Sequence, residues 1–141
     1  MRIKLGNTYI IISIYFWIVI LWCCINNKLK EFLICFLALT LHEAGHLITA
    51  YCLKENVSVL KILPIGFMCR LKNQSQIQTK NIIKILIAGP ATSILMAGLF
   101  LFWTKDFAII NLMIGLVNLF PLGELDGMRI LNIIVDNKVY K

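Results

Sequence analysis

Charge is scarce in this chain of 141 residues: 15% of them are charged and 60% hydrophobic, and the mean hydropathy is +0.83. An ordinary water-soluble globule is thereby excluded, since such domains carry about 25% charged residues. Acids are the scarcer sign, seven against 14 Lys and Arg, and the net charge of +7 would suggest nucleic acid in a polar chain. Here most of the basic residues flank apolar runs, where positive charge sets orientation and meets anionic lipid, so nucleic acid is set aside as a partner. Paired cysteines are lacking too. Cys23 and Cys24 are adjacent, Cys35 and Cys52 lie in apolar stretches and Cys69 in a short alternating one, which excludes a disulfide framework or a cysteine zinc site. No small-residue cleavage site follows the first apolar run, which ends Leu21-Trp22-Cys23-Cys24, so it reads as a retained anchor rather than a signal peptide.

What is present is a series of long apolar runs. They predict an all-α polytopic membrane protein with about four transmembrane helices, at residues 8–25, 32–53, 81–103 and 107–135, in a single domain over 1–141. Between the second and third spans the pattern turns β-branched and interrupted, which predicts a short membrane-associated β hairpin: either a surface connection or an edge that pairs with an extended substrate. The third span contains Ala88-Gly89-Pro90-Ala91-Thr92-Ser93, whose small residues suit close helix packing and whose proline should kink the helix; no chemistry is assigned to it. In the fourth, Pro121, Gly123 and Gly127 predict a break near 121–126 beside a polar cavity.

Inside the second run stands His42-Glu43-Ala44-Gly45-His46. On a helix, residues four apart share a face, so both imidazoles can bind one ion while the glutamate, turned by about a quarter circle, addresses a bound water. Three ionisable groups in mid-span are costly to bury and face the protein interior or a water-filled cavity. The pattern is that of zinc-dependent peptide hydrolysis. Packed or pH-sensing histidines are the competing reading.

Two histidines leave a catalytic zinc in need of a third protein ligand, and a carboxylate from another helix is a usual one. Glu31, Glu55, Asp106 and Asp136 lie at the ends of spans, where solvated charge is the default, which leaves Glu124 and Asp126. The competing readings are an N-cap for Asp126 and a solvated loop acid for Glu124, and of the two acids Asp126 is slightly favoured.

His42-Glu43-Ala44-Gly45-His46, Ala88-Gly89-Pro90, and Asn118-Leu119-Phe120-Pro121 leading into Leu125-Asp126-Gly127 resemble, in order and spacing, the site-2 protease family. The similarity runs from about residue 32 to 133 and is greatest to the bacterial branch that includes the stage IV sporulation protease. The resemblance implies zinc ligation by His42, His46 and Asp126, one Zn2+ per chain, and a catalytic Glu43. It also implies substrate contacts from Asn118 and from the β segment around Pro64 and Gly66. Met128 stands where many members have a second glycine and Glu124 where proline is frequent, and no PDZ or CBS module is recognised.

The expected activity is intramembrane hydrolysis of a peptide bond in a membrane-embedded or membrane-associated protein, with a sigma-factor precursor as a candidate substrate. The alternative is a catalytically silent membrane protein that binds a precursor or partner. Expected partners are the substrate, the lipid bilayer, and a regulatory membrane protein or further copies of the chain. The distribution of basic residues predicts a multi-pass protein of the cell membrane with both termini and the opening of the active site on the cytoplasmic side.

Overall fold

The computed structural model describes residues 2–5, 8–55, 57–63, 66–71 and 77–139. In chain order these form strands β1 (Arg2–Leu5) and β2 (Thr8–Ile12), helices α1 (Ile14–Ile25) and α2 (Leu29–Cys52), strands β3 (Val57–Leu63) and β4 (Gly66–Leu71), and helices α3 (Thr79–Phe100), α4 (Lys105–Leu119) and α5 (Asp126–Val139). The strands make one four-stranded sheet in the order β1-β2-β3-β4. β2 and β3 run parallel, with Tyr9 opposite Val59, and the outer pairs are antiparallel.

This overturns the expected fold class of an all-α protein with about four transmembrane helices and a separate hairpin. The 8–25 run is not one helix. Its β-branched start, Thr8-Tyr9-Ile10-Ile11-Ile12, is strand β2, and Ser13 precedes a 12-residue α1. At 1.5 Å per residue that helix is about 18 Å long, short of a roughly 30 Å hydrocarbon core. The 107–135 run, with its expected break near 121–126, is two helices, with α4 ending at Leu119 and α5 starting at Asp126. Among the described residues two helices, α2 and α3, are long and apolar enough to cross a membrane. β3 and β4 are neighbours within a larger sheet rather than a hairpin apart, and Pro64 and Ile65 between them lie outside the described residues.

Sharp helix ends set the path of the chain. Asn27, in the left-handed region at φ 54°, ends α1, and the Lys28 N–H returns to the Cys23 carbonyl at 2.8 Å. Lys54, at φ 60°, ends α2 in the same way, with the Glu55 N–H on the Ala50 carbonyl at 2.9 Å. The Asn81 amide then donates to the Glu55 carboxylate at 3.2 Å and ties the start of α3 to the end of α2.

The core lies where α2, α3 and α4 meet, and most of its side chains are small or polar, with Ile85, Leu86 and Phe107 the large apolar ones. On α2 the buried residues are Ala38, His42, Gly45, His46 and Ala50, which is one face of a helix. They pack on α3, whose buried residues are Ile85, Leu86, Gly89, Pro90, Ser93 and Ala97 and which continues unbroken through Pro90. A Cβ on Gly45 would stand 2.6 Å from the Ala88 carbonyl oxygen, so glycine is what allows α2 and α3 to close up. Other large apolar side chains point the other way: Leu37, Ile48, Leu95 and Leu99 are more than half exposed, and Phe102 and Trp103 more than four-fifths. Small and polar residues inside with large apolar ones outside reverse the usual soluble arrangement and suit a chain solvated by lipid.

Candidate metal centre

His42 and His46 stand one turn apart on the buried face of α2. Asp126 reaches them from the first turn of α5, where a carboxylate also complements the positive end of the helix. The chain arrives there through a short irregular link: α4 stops before Pro121, Gly123 takes φ 55°, and the Leu125 N–H bonds to the Leu122 carbonyl at 3.2 Å. Gly127 matters for closeness rather than for backbone angle. A Cβ there would collide with the Leu119 carbonyl and lie 2.8 Å from the Phe120 oxygen, so only glycine lets α5 start against the end of α4.

Three donor atoms converge. His42 Nε2 and His46 Nε2 are 3.3 Å apart, and Asp126 Oδ2 lies 3.3 Å from the first and 3.2 Å from the second. Ligands bound to a tetrahedral zinc at about 2.0–2.1 Å stand about 3.3 Å from one another, so the triangle has the size that zinc requires. All three residues are buried. They are the group among the described residues whose ligand atoms are placed to share a metal ion.

The far side of each imidazole is also engaged. His46 Nδ1 donates to the Ile85 carbonyl at 2.7 Å, which leaves the Nε2 lone pair facing the triangle. His42 Nδ1 lies 2.9 Å from the Ser93 hydroxyl. Gly89 makes the room: a Cβ there would overlap the His46 ring. Sequence reasoning gave the Ala88 to Ser93 stretch a packing role and so missed both Ser93 and the Ile85 carbonyl. The four-residue spacing of Gly89 and Ser93 on one face of α3 was the available signal.

Glu43, half-buried on α2, lies within electrostatic reach of His46, Asp126 and Arg129 without being one of the three converging donors. Glu124, the other acid the sequence left open, is exposed and outside the triangle. Asn118 is half-buried, and its amide donates to the Ile114 carbonyl of its own helix at 3.0 Å. Gly66 begins β4, and Pro64 lies outside the described residues.

No family model matches the chain. A zinc metalloprotease of Methanocaldococcus jannaschii is 30% identical to it over 120 residues, covering 76% of this chain and 34% of the relative. The chain therefore spans about a third of the length of the curated relative it matches. A solved structure, the site-2 protease from Methanocaldococcus jannaschii, matches with a TM-score of 0.77 and 26% identity over 98% of this chain and 72% of that one. Together they support the site-2 protease family, with neither bearing on the sporulation branch. Zinc is the metal suggested by the relative's name and by the His-His-Asp group, and the two apolar helices with the structural match suggest a membrane protein.

Proposed function

We propose, from this kinship with the site-2 proteases, that the chain is an intramembrane zinc metalloprotease that hydrolyses a peptide bond of a membrane-embedded or membrane-associated protein. The observation that carries the reading is the buried triangle of His42, His46 and Asp126, with sides of 3.2–3.3 Å, beside the carboxylate of Glu43. His42, His46 and Asp126 hold one Zn2+ per chain. When bound, zinc supplies Lewis acidity, which makes water acidic enough to attack near neutral pH and polarises a carbonyl.

Glu43 is the general base. It takes the proton of the attacking water and returns it to the leaving nitrogen, a role that requires hydrogen-bond reach of the water and no bond to the metal. The substrate must be unwound locally before it can react, since helix carbonyls are already satisfied and the backbone is shielded. Asn118 and the residues around Pro64 and Gly66 are proposed to hold the unwound segment. The site is proposed to open on the cytoplasmic side, where both termini lie.

The finer proposal, a sigma-factor precursor as substrate, rests on the sequence resemblance to the sporulation branch. Co-expression of such a precursor with wild type, Glu43→Gln and Asp126→Ala tests it on a gel. Cleavage by wild type alone supports substrate and roles together. Absence of cleavage by zinc-loaded wild type removes the sigma-factor proposal, and equal cleavage by Glu43→Gln overturns the role of the base.

A further inference from the structure

The two histidines of the candidate zinc centre are oriented by different kinds of partner. His46 donates to a main-chain carbonyl, that of Ile85 at 2.7 Å, which any residue at that position would supply. His42 instead meets a side chain, the Ser93 hydroxyl at 2.9 Å, so its orientation depends on which residue occupies position 93. Ser93 is 0% exposed and His42 2% exposed, which leaves bulk water no way to replace the hydroxyl. A void the size of one hydroxyl is too small to hold a water, which needs room for a full probe sphere and two to four polar partners.

From this we infer that Ser93 is a positioning residue of the metal centre: its hydroxyl oxygen accepts a hydrogen bond from the Nδ1–H of His42 and so turns the Nε2 lone pair to the metal. The inference rests on the zinc reading proposed above. With Nε2 committed to a metal, the ring proton sits on Nδ1, and the hydroxyl oxygen is the acceptor in reach. The bond fixes the tautomer and the ring plane together, and partners of this kind are worth about 10–100-fold in metal affinity. Ser93 touches neither substrate nor water in this scheme. It acts through His42.

The test measures zinc affinity of the full chain in detergent by competition with a chromophoric chelator, for wild type, Ser93→Ala and His42→Ala, with helicity followed by circular dichroism. Ser93→Ala removes one oxygen and should bind zinc about 10–100-fold more weakly at unchanged helicity, whereas His42→Ala should lose the site. Nitrogen-15 spectra of the zinc-loaded protein supply a readout that a packing role would not move. The chain has two histidines, and Ser93→Ala should shift the Nδ1 resonance of His42 and leave that of His46 in place.

Wild-type affinity in Ser93→Ala, with zinc lost in His42→Ala, would overturn the role of Ser93 and leave the metal centre standing. Undiminished zinc binding by His42→Ala would overturn the centre itself and the inference with it. If Ser93→Ala does not fold, the wild-type spectrum decides: a His42 Nδ1 resonance without the signature of a donated hydrogen bond refutes the assignment.

Discussion

Replacing Gly89 with alanine should strip the metal centre of its ion while leaving α3 helical. The new methyl would stand on the His46 ring, overlapping Nε2 and Cε1 and lying 2.8 Å from Cδ2. Non-bonded carbons settle near 3.5–4.0 Å, so the ring has to retreat by about 1 Å. Metal sites tolerate errors of about 0.2 Å in a ligand distance, and a retreating ring also stretches the 2.7 Å bond from Nδ1 to the Ile85 carbonyl. Loss of an outer partner alone lowers metal affinity by about 10–100-fold, so displacement of the ligand should cost at least about 100-fold, or about 2.8 kcal/mol at 1.4 kcal/mol per tenfold. Gly98 is the internal control. It lies on the same helix with nothing within 4 Å of a Cβ, so alanine there keeps zinc and adds about 0.5–1 kcal/mol of helix stability. The assay is bound zinc per chain after equilibrium dialysis against a chelator buffer, with helicity by circular dichroism. Wild-type zinc content in a folded Gly89→Ala protein would refute the reasoning.

The other expectations concern the same few contacts. Gly127→Ala, whose methyl would press on the Leu119 and Phe120 carbonyls, should move Asp126 off the triangle and lower zinc affinity by about 10-fold or more in the dialysis assay. Asp126→Ala should reduce zinc content below that of Gly127→Ala, since it removes a donor outright; equal zinc content in wild type and Asp126→Ala would show that the third ligand lies elsewhere. A chelator should abolish hydrolysis and added zinc restore it, and activity that persists at zero measured zinc would exclude the metal mechanism.

The three residues of the candidate centre were easier to single out in the sequence than the fold that brings them together, for physical reasons. His42 and His46 carry their geometry in their spacing, because four residues on any helix bring two side chains to one face. The residues alone favoured Asp126 over Glu124 only slightly and the family resemblance separated them, since the two acids are neighbours in the same broken segment and differ in burial, a tertiary property. Burial of Asp126 depends in turn on Gly127 against the Leu119 carbonyl, a contact between helices that no local pattern announces. The sheet was less legible. The run from Thr8 to Ile25 is apolar throughout, and hydropathy does not register where a strand gives way to a helix at Ser13. Parallel pairing of Tyr9 with Val59 joins residues far apart in the chain, on either side of α1 and α2. Ser93 was overlooked for a similar reason: a serine among alanines and glycine reads as packing until α3 is seen to lay it against His42.

Peptide-bond hydrolysis in oxygen-18 water by the zinc-loaded protein in proteoliposomes is the most direct test of the proposed chemistry. The substrates are membrane-spanning peptides that carry a helix-breaking residue in mid-span, and mass spectrometry reads the label in each new carboxyl terminus. Wild type should incorporate it, and Glu43→Gln should be slower by about 10²–10⁴-fold with zinc content unchanged. Label incorporated equally by the two proteins, or none by zinc-loaded wild type across the peptide set, would contradict the assignment of an intramembrane metalloprotease.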